Sequence, residues 1–230
     1  MISIIIPVAE PLYLIEDCLN SIKNYTTYQD YEIILIDNTL TNGVQRVLNK
    51  IGPFPKPIIP FVAPENLFHV KSMRKGLELS HGDFILMLND DTEVPRDQGH
   101  WLNRLLEMFS LYPNCGMATL TLLHRCHTIY WIGSGNNHHT DMHQTYNFVK
   151  QPPLEVLWSN MACALTKRST LEAVPFRHPD ETESAKLHYG MDRIWSNMIR
   201  EKLGLKHIVC RDAWIYHYNE RCVAQFQRKH

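Results

Sequence analysis

Four short apolar runs, at residues 2–8 (ISIIIPV), 31–38 (YEIILIDN), 58–62 (IIPFV) and 84–88 (FILML), mark the first ninety residues, with helix-type sequence between them. A run that is apolar at nearly every position buries both faces of its strand, as happens when helices cover both sides of a parallel sheet. The intervening segments fit that arrangement. In residues 12–25, Leu12, Ile15, Cys18, Leu19 and Ile22 recur at steps of three and four; residues 41–51 make a shorter helix; residues 69–80 make another, with His81 and Gly82 as the expected C-cap. The alternation predicts an α/β chain with a doubly wound, mostly parallel sheet flanked by helices.

The second half is less regular. A helix is predicted over 99–113, with Trp101, Leu102, Leu105, Leu106 and Phe109 on one stripe, then strands over 115–124 and 128–135. Residues 136–153 read as a loop, 155–174 as a strand feeding a helix, 189–204 as a helix with Gly204 past its end, and 206–218 as a last strand. No internal repeat or low-complexity linker divides the chain, so one domain is expected.

In open α/β sheets the ligand lies outside the carboxyl ends of the strands. Val8 and Ala9, Asp37 and Asn38, and Asn89, Asp90 and Asp91 fall at such ends. Adjacent carboxylates at the tip of a buried strand repel one another unless a cation or hydrogen-bond donors offset them. A hard divalent ion carrying phosphate oxygens would do so.

The 23 basic and 24 acidic residues nearly cancel, which gives no reason to expect a nucleic-acid partner or steering onto an anionic membrane. No apolar run approaches the roughly 20 residues of a spanning helix, and the start lacks the features of a secretory signal. The expected place is therefore the cytosol, free or peripheral to a membrane. The six cysteines form no CxxC pair and are expected to be reduced and mostly buried. A zinc site from Cys115, His124, Cys126 and His127 can be drawn, but its spacing matches no common structural pattern. The histidines of NNHHTDMH read as a solvated loop, and Trp131, Trp158 and Trp195 as core residues before sugar-stacking ones.

The stretches SIIIPVAEPLYLIEDCLNSI, YEIILIDNTLTNG, ENLFHVKSMRKGLELSHGDFILMLNDDTEVP, NMACALTKRSTLEAV, YGMDRIW and AWIYHY together resemble, in their order, the family 2 glycosyltransferases of GT-A fold. The resemblance covers nearly the whole chain. It implies a nucleotide-sugar-binding half at 1–95 and an acceptor-binding, catalytic half at 96–230. It also implies a nucleotide-sugar donor, UDP- or dTDP-linked, and a glycan, glycoprotein or glycolipid acceptor.

Carried over by position, Pro7 and Ala9 would line the nucleotide pocket, Asp37 would hydrogen-bond the base, and Asn89 and Asp90 would approach ribose and phosphates. Asp91 would ligate Mn2+ or Mg2+, His217 would be a further metal or diphosphate contact, and Asp192 would be the catalytic base. Arg74, where the family often has asparagine, would bring a cation to the diphosphate or base. Met191 and Ile194 stand where acids are usual, and Glu10 where asparagine is.

The implied chemistry is an in-line inverting displacement: a carboxylate takes the acceptor hydroxyl proton while a metal ion offsets charge on the departing diphosphate. Some residues keep a second account. Asp37 also suits a turn cap, His217 a core histidine, and Arg74 an exposed cation. A nucleotidyltransferase or a dinucleotide-dependent dehydrogenase would need a glycine-rich loop that PVAEPLYL lacks. The rival of another kind is a non-catalytic nucleotide-sugar or carbohydrate-binding module.

Overall fold

The computed structural model describes residues 1–124, 129–131, 151–177 and 190–218. Among the described residues ten strands form one sheet: β1 (Ile2–Val8), β2 (Tyr31–Asp37), β3 (Ile58–Val62), β4 (Phe84–Leu88), β5 (Thr92–Glu93), β6 (Cys115–Leu123), β7 (Ile129–Trp131), β8 (Leu154–Val156), β9 (Cys163–Lys167) and β10 (Lys206–His217). The described helices are α1 (Leu12–Tyr25), α2 (Gly43–Ile51), α3 (Phe68–Leu79), α4 (Trp101–Leu111), α5 (Arg168–Ala173) and α6 (Met191–Leu203).

The strand order is β3-β2-β1-β4-β9-β6-β10-β5, and it starts with the expected parallel pairing, β1 parallel to β2 and β4, and β2 parallel to β3. Strand β9 then runs antiparallel to both β4 and β6, while β6 and β10 are again parallel. The strand predicted to feed a helix within 155–174 is two separate strands, β8 and β9, which pair with different neighbours, and β9 feeds α5 as expected.

Helices cover both faces. Ile2, Ile4, Ile6 and Val8 of β1 join Leu19 and Ile22 of α1, Val44 of α2 and Trp101 of α4 in one core. Ile5, one residue out of phase, joins Met73 of α3 and Trp195 of α6 in the other. Each fully buried isoleucine contributes roughly 1.5–3 kcal/mol relative to exposure, and β1 places Ile2, Ile4, Ile5 and Ile6 at 1% exposure or less. The strand is a rigid spine from which its polar end projects.

Helix α6 stops at Gly204 as predicted, with φ of 64° and its N–H on the Arg200 carbonyl. Helix α3 does not use the expected glycine cap: it ends at Ser80, whose hydroxyl donates to the Leu77 carbonyl. Gly82 instead permits close passage, because a Cβ there would stand 2.8 Å from the Met1 carbonyl oxygen. The zinc reading fails on geometry, since Cys115 and His124 lie at opposite ends of a nine-residue strand, a span of nearly 30 Å at about 3.3 Å per residue. Cys126 and His127 lie outside the described residues, as do most of the 136–153 loop and the Trp131 side chain. Cys18, Cys115, Cys163 and Cys210 are free and buried. Trp195 is a core residue, 0% exposed and bonded from Nε1 to the Val174 carbonyl. Among the described residues, no helix is long and apolar enough to cross a membrane.

Candidate active site

Strand direction explains why the polar tips meet. The carboxyl ends of β1, β2, β4 and β10 lie at one edge of the sheet, and antiparallel β9 brings its entry, residues 160–162, to the same edge. A cavity of about 680 Å³ opens there, within the range of small-molecule sites. Its wall contains Pro7, Ala9, Asn89, Asp90, Asp91, Asp192 and His217. Seven of the nine residues singled out in the sequence are thus brought together.

The other two are not in the described lining. Asp37 is 0% exposed, and its carboxylate accepts Thr39 N–H at 2.9 Å, Thr39 Oγ1–H at 2.6 Å and Val44 N–H at 3.0 Å. It braces the loop into α2, as the turn account expects. Its neighbour Asn38 faces the cavity instead. Arg74 is exposed on α3, and that helix gives the cavity Phe68 and His69, not Arg74. Arg74 is thus placed at the surface beside the cavity-lining start of α3.

The acids after β4 are held differently from Asp37. Asp90 Oδ2 accepts the Ala9 N–H at 2.9 Å, tying the β4 tip to the β1 tip. Burial, and then the charge of Asp91, push the Asp90 carboxyl up to about 7 against the opposing pull of that N–H and of His217. Asp91 Oδ1 lies 3.1 Å from His217 Nε2. The backbone fixes this pairing, because Thr92 pairs with His217 and Tyr218 N–H donates to the Asp91 carbonyl at 2.8 Å. His217 is buried, with the Asn89 amide nitrogen 3.4 Å from Nε2. Behind it, His124 is held below the ordinary imidazole range, by burial first and then by His217.

This donor set fits a divalent ion. Asp91 Oδ1 is buried and receives no well-aligned hydrogen bond, although the imidazole is within ion-contact distance. Among the described residues no three His, Cys, Asp or Glu side chains converge on one point. Two protein ligands, completed by substrate phosphates and water, is the usual way Mg2+-type ions are held at phosphate sites.

Asp192 sits in the first turn of α6, and its Oδ2 accepts the Met161 N–H at 3.3 Å. Burial raises its carboxyl above the ordinary range, against that bond and the charge of His217. Met191, beside it, is 1% exposed in the core with Trp195 and Ile199. Sequence reasoning gave no role to Met161, Asn160, Asn66, Phe68 or His69, all of which line the cavity. The contact of Met161 with Asp192 is made by backbone, which leaves no side-chain signature to find.

Three solved structures share the fold. TarS of S. aureus matches at 12% identity and TM-score 0.65, over 99% of this chain and 63% of that one. The mannosyltransferase PcManGT of Pyrobaculum calidifontis, in complex with GDP-Man and Mn2+, matches at 17% and 0.66, over 99% and 60%. GalNAc-T7, with UDP, GalNAc and Mn2+, matches at 14% and 0.72, over 96% and 44%. In sequence, an uncharacterized glycosyltransferase of Haemophilus influenzae is 32% identical over 99 residues, 43% of this chain and 39% of that relative. The chain thus spans under two thirds of the length of each. Its own fold is GT-A, with a largely parallel central sheet between helices. Residues 3–182, most of the chain, match the family described as Glycosyl transferase family 2, and the chain belongs to that family.

Proposed function

We propose that the chain transfers a sugar from a nucleotide-sugar, UDP- or dTDP-linked, to a hydroxyl of a glycan, glycoprotein or glycolipid acceptor, with inversion and with Mn2+ or Mg2+. One observation carries this reading: a carboxyl raised by burial, Asp192, faces the same cavity as the Asp91–His217 pair. That nucleotide-sugars and Mn2+ accompany structures of the same fold supports the donor class.

A carboxylate with a raised pKa is a stronger base, and Asp192 is accordingly assigned to take the proton from the acceptor hydroxyl as that oxygen attacks the anomeric carbon. The Met161 N–H holds Oδ2 of Asp192 and so fixes the carboxylate at the cavity wall. Asp91 and His217 would hold the ion, which when bound neutralises charge on the leaving diphosphate. Asp90, fastened to the Ala9 N–H, keeps the β1 and β4 tips together beneath it.

Asp192→Asn is expected to keep metal-dependent donor binding and to lose transfer by 10²-fold or more, the usual worth of a positioned base. Asp91→Ala is expected to lose metal-supported donor binding. Transfer by Asp192→Asn at the wild-type rate would overturn the assignment. A non-catalytic binding module is the second reading, favoured by the buried Met191 where the resemblance leads one to expect an acid. Donor binding with no transfer or donor hydrolysis across a broad acceptor panel would decide for the module.

A further inference from the structure

Phe68 opens α3 with φ of 52°, in the left-handed region. A bulky aromatic residue there is a genuine outlier. Leu40 and Asn42 share positive φ, but they lie in the loop after β2 and neither lines the cleft, whereas Phe68 does.

Two asparagine side chains fix the conformation. Asn38 Oδ1, at the β2 tip, accepts the Leu67 N–H at 2.9 Å, and Asn66 Oδ1 accepts the Phe68 N–H at 2.8 Å. Asn38 is itself tied to α3, its Nδ2 donating to Ser72 Oγ at 3.0 Å. Strain of this kind persists where surroundings over-determine it, and it clusters at ligand clamps.

We propose, on the donor-site reading above, that Phe68 is a donor-binding residue whose ring is the stacking wall for the nucleobase. A phenyl ring offers neither phosphate nor metal a partner, but its face suits a flat heteroaromatic ring. The position agrees. Asn38, which braces the loop carrying Phe68, ends β2, and Asp90 and Asp91 follow β4; β1 lies between them. Two strand spacings separate those tips by about 10 Å, comparable to the reach of a nucleoside diphosphate from base to terminal phosphate. Asp192 and Met161, on the far side of β4, are then left for the sugar and acceptor.

The test is calorimetric titration of the wild type and of Phe68→Tyr, Phe68→Asn and Phe68→Gly with UDP, GDP and inorganic pyrophosphate, each with Mn2+. Asparagine and glycine both accept positive φ, and thermal unfolding checks that the variants fold. Phe68→Asn and Phe68→Gly are expected to weaken the nucleotide the wild type binds by roughly 5- to 150-fold, the range of a lost aromatic–base stack. Phe68→Tyr is expected to match the wild type, and pyrophosphate to bind all four proteins alike. Equal nucleotide affinity in Phe68→Gly and the wild type would overturn the inference. So would an equal loss for pyrophosphate, which would mark Phe68 as a mere loop support. A wild type that binds pyrophosphate but no nucleotide also removes the stacking wall, whereas one that binds neither removes the donor-site reading with it.

Discussion

Replacing Asp90 by asparagine probes the electrostatics of the β4 tip directly. Burial and the Asp91 charge move the Asp90 carboxyl from 3.8 to about 7 on folding. That is about three pH units, and at about 1.36 kcal/mol each the ceiling is about 4 kcal/mol. The carboxyl is at the mouth of an open cleft, where solvent screens it, so about 2 kcal/mol is the expected share. In the unfolded chain Asp90 ionises near pH 4; in the folded chain it holds its proton to about pH 7. Between those values the folded state binds the extra proton, and stability falls as pH rises through the window. Asparagine does not titrate, and its oxygen can still accept the Ala9 N–H. In EDTA, urea unfolding should therefore show Asp90→Asn gaining on the wild type by about 2 kcal/mol between pH 4 and pH 8. Added Mn2+ at pH 8 should narrow the gap, because ligand binding to the native state stabilises the ionised wild type. A difference between the two proteins that is the same at both pH values would refute the reasoning.

Gly76→Ala would place a methyl 2.2 Å from Ile5 Cγ2; the helix-propensity gain of about 1 kcal/mol is exceeded by overpacking, giving a net loss of about 1–2 kcal/mol in chemical denaturation. Part of that loss should return in the Ile5→Ala, Gly76→Ala double variant, since the two sites are in contact. At the other end of the sheet, Glu32 is 5% exposed and accepts Ser3 Oγ–H and the His81 N–H, each at 2.6 Å. Burial alone would raise its carboxyl, but these bonds and His81 outweigh burial and lower it. Its contribution is therefore present above the ordinary glutamate range and lost as pH falls through the lowered value. Glu32→Gln should cost about 1–3 kcal/mol at pH 7 and measurably less at pH 3, read from urea midpoints.

Strands β1 to β4 are legible because a strand buried on both faces leaves an unbroken apolar run, and each predicted bound falls within a residue of the observed one, whereas the two-residue β5 leaves no such run. The reversal of β9 is not legible. CALTK is buried at four of its five positions and pairs antiparallel on both sides, which periodicity alone does not distinguish from a parallel strand. The acids show the same limit at the scale of a side chain. Asp37 and Asp90 both follow apolar runs, yet one is part of the scaffold and the other faces the cleft. What separates them is the backbone that comes next. After Asp37 the chain turns into α2, and that turn aims Thr39 N–H, Thr39 Oγ1–H and Val44 N–H at one carboxylate. After Asp90 and Asp91 the chain enters β5, pairs with β10, and leaves the Ala9 N–H on one acid and an imidazole beside the other. A carboxylate saturated with donors has its charge compensated within the fold. One short of donors beside a second acid has not, and a cation is the partner able to complete it. Residue type is identical at the two tips, so only the count of donors in three dimensions separates Asp37, saturated within the fold, from Asp91, short of donors beside the cleft.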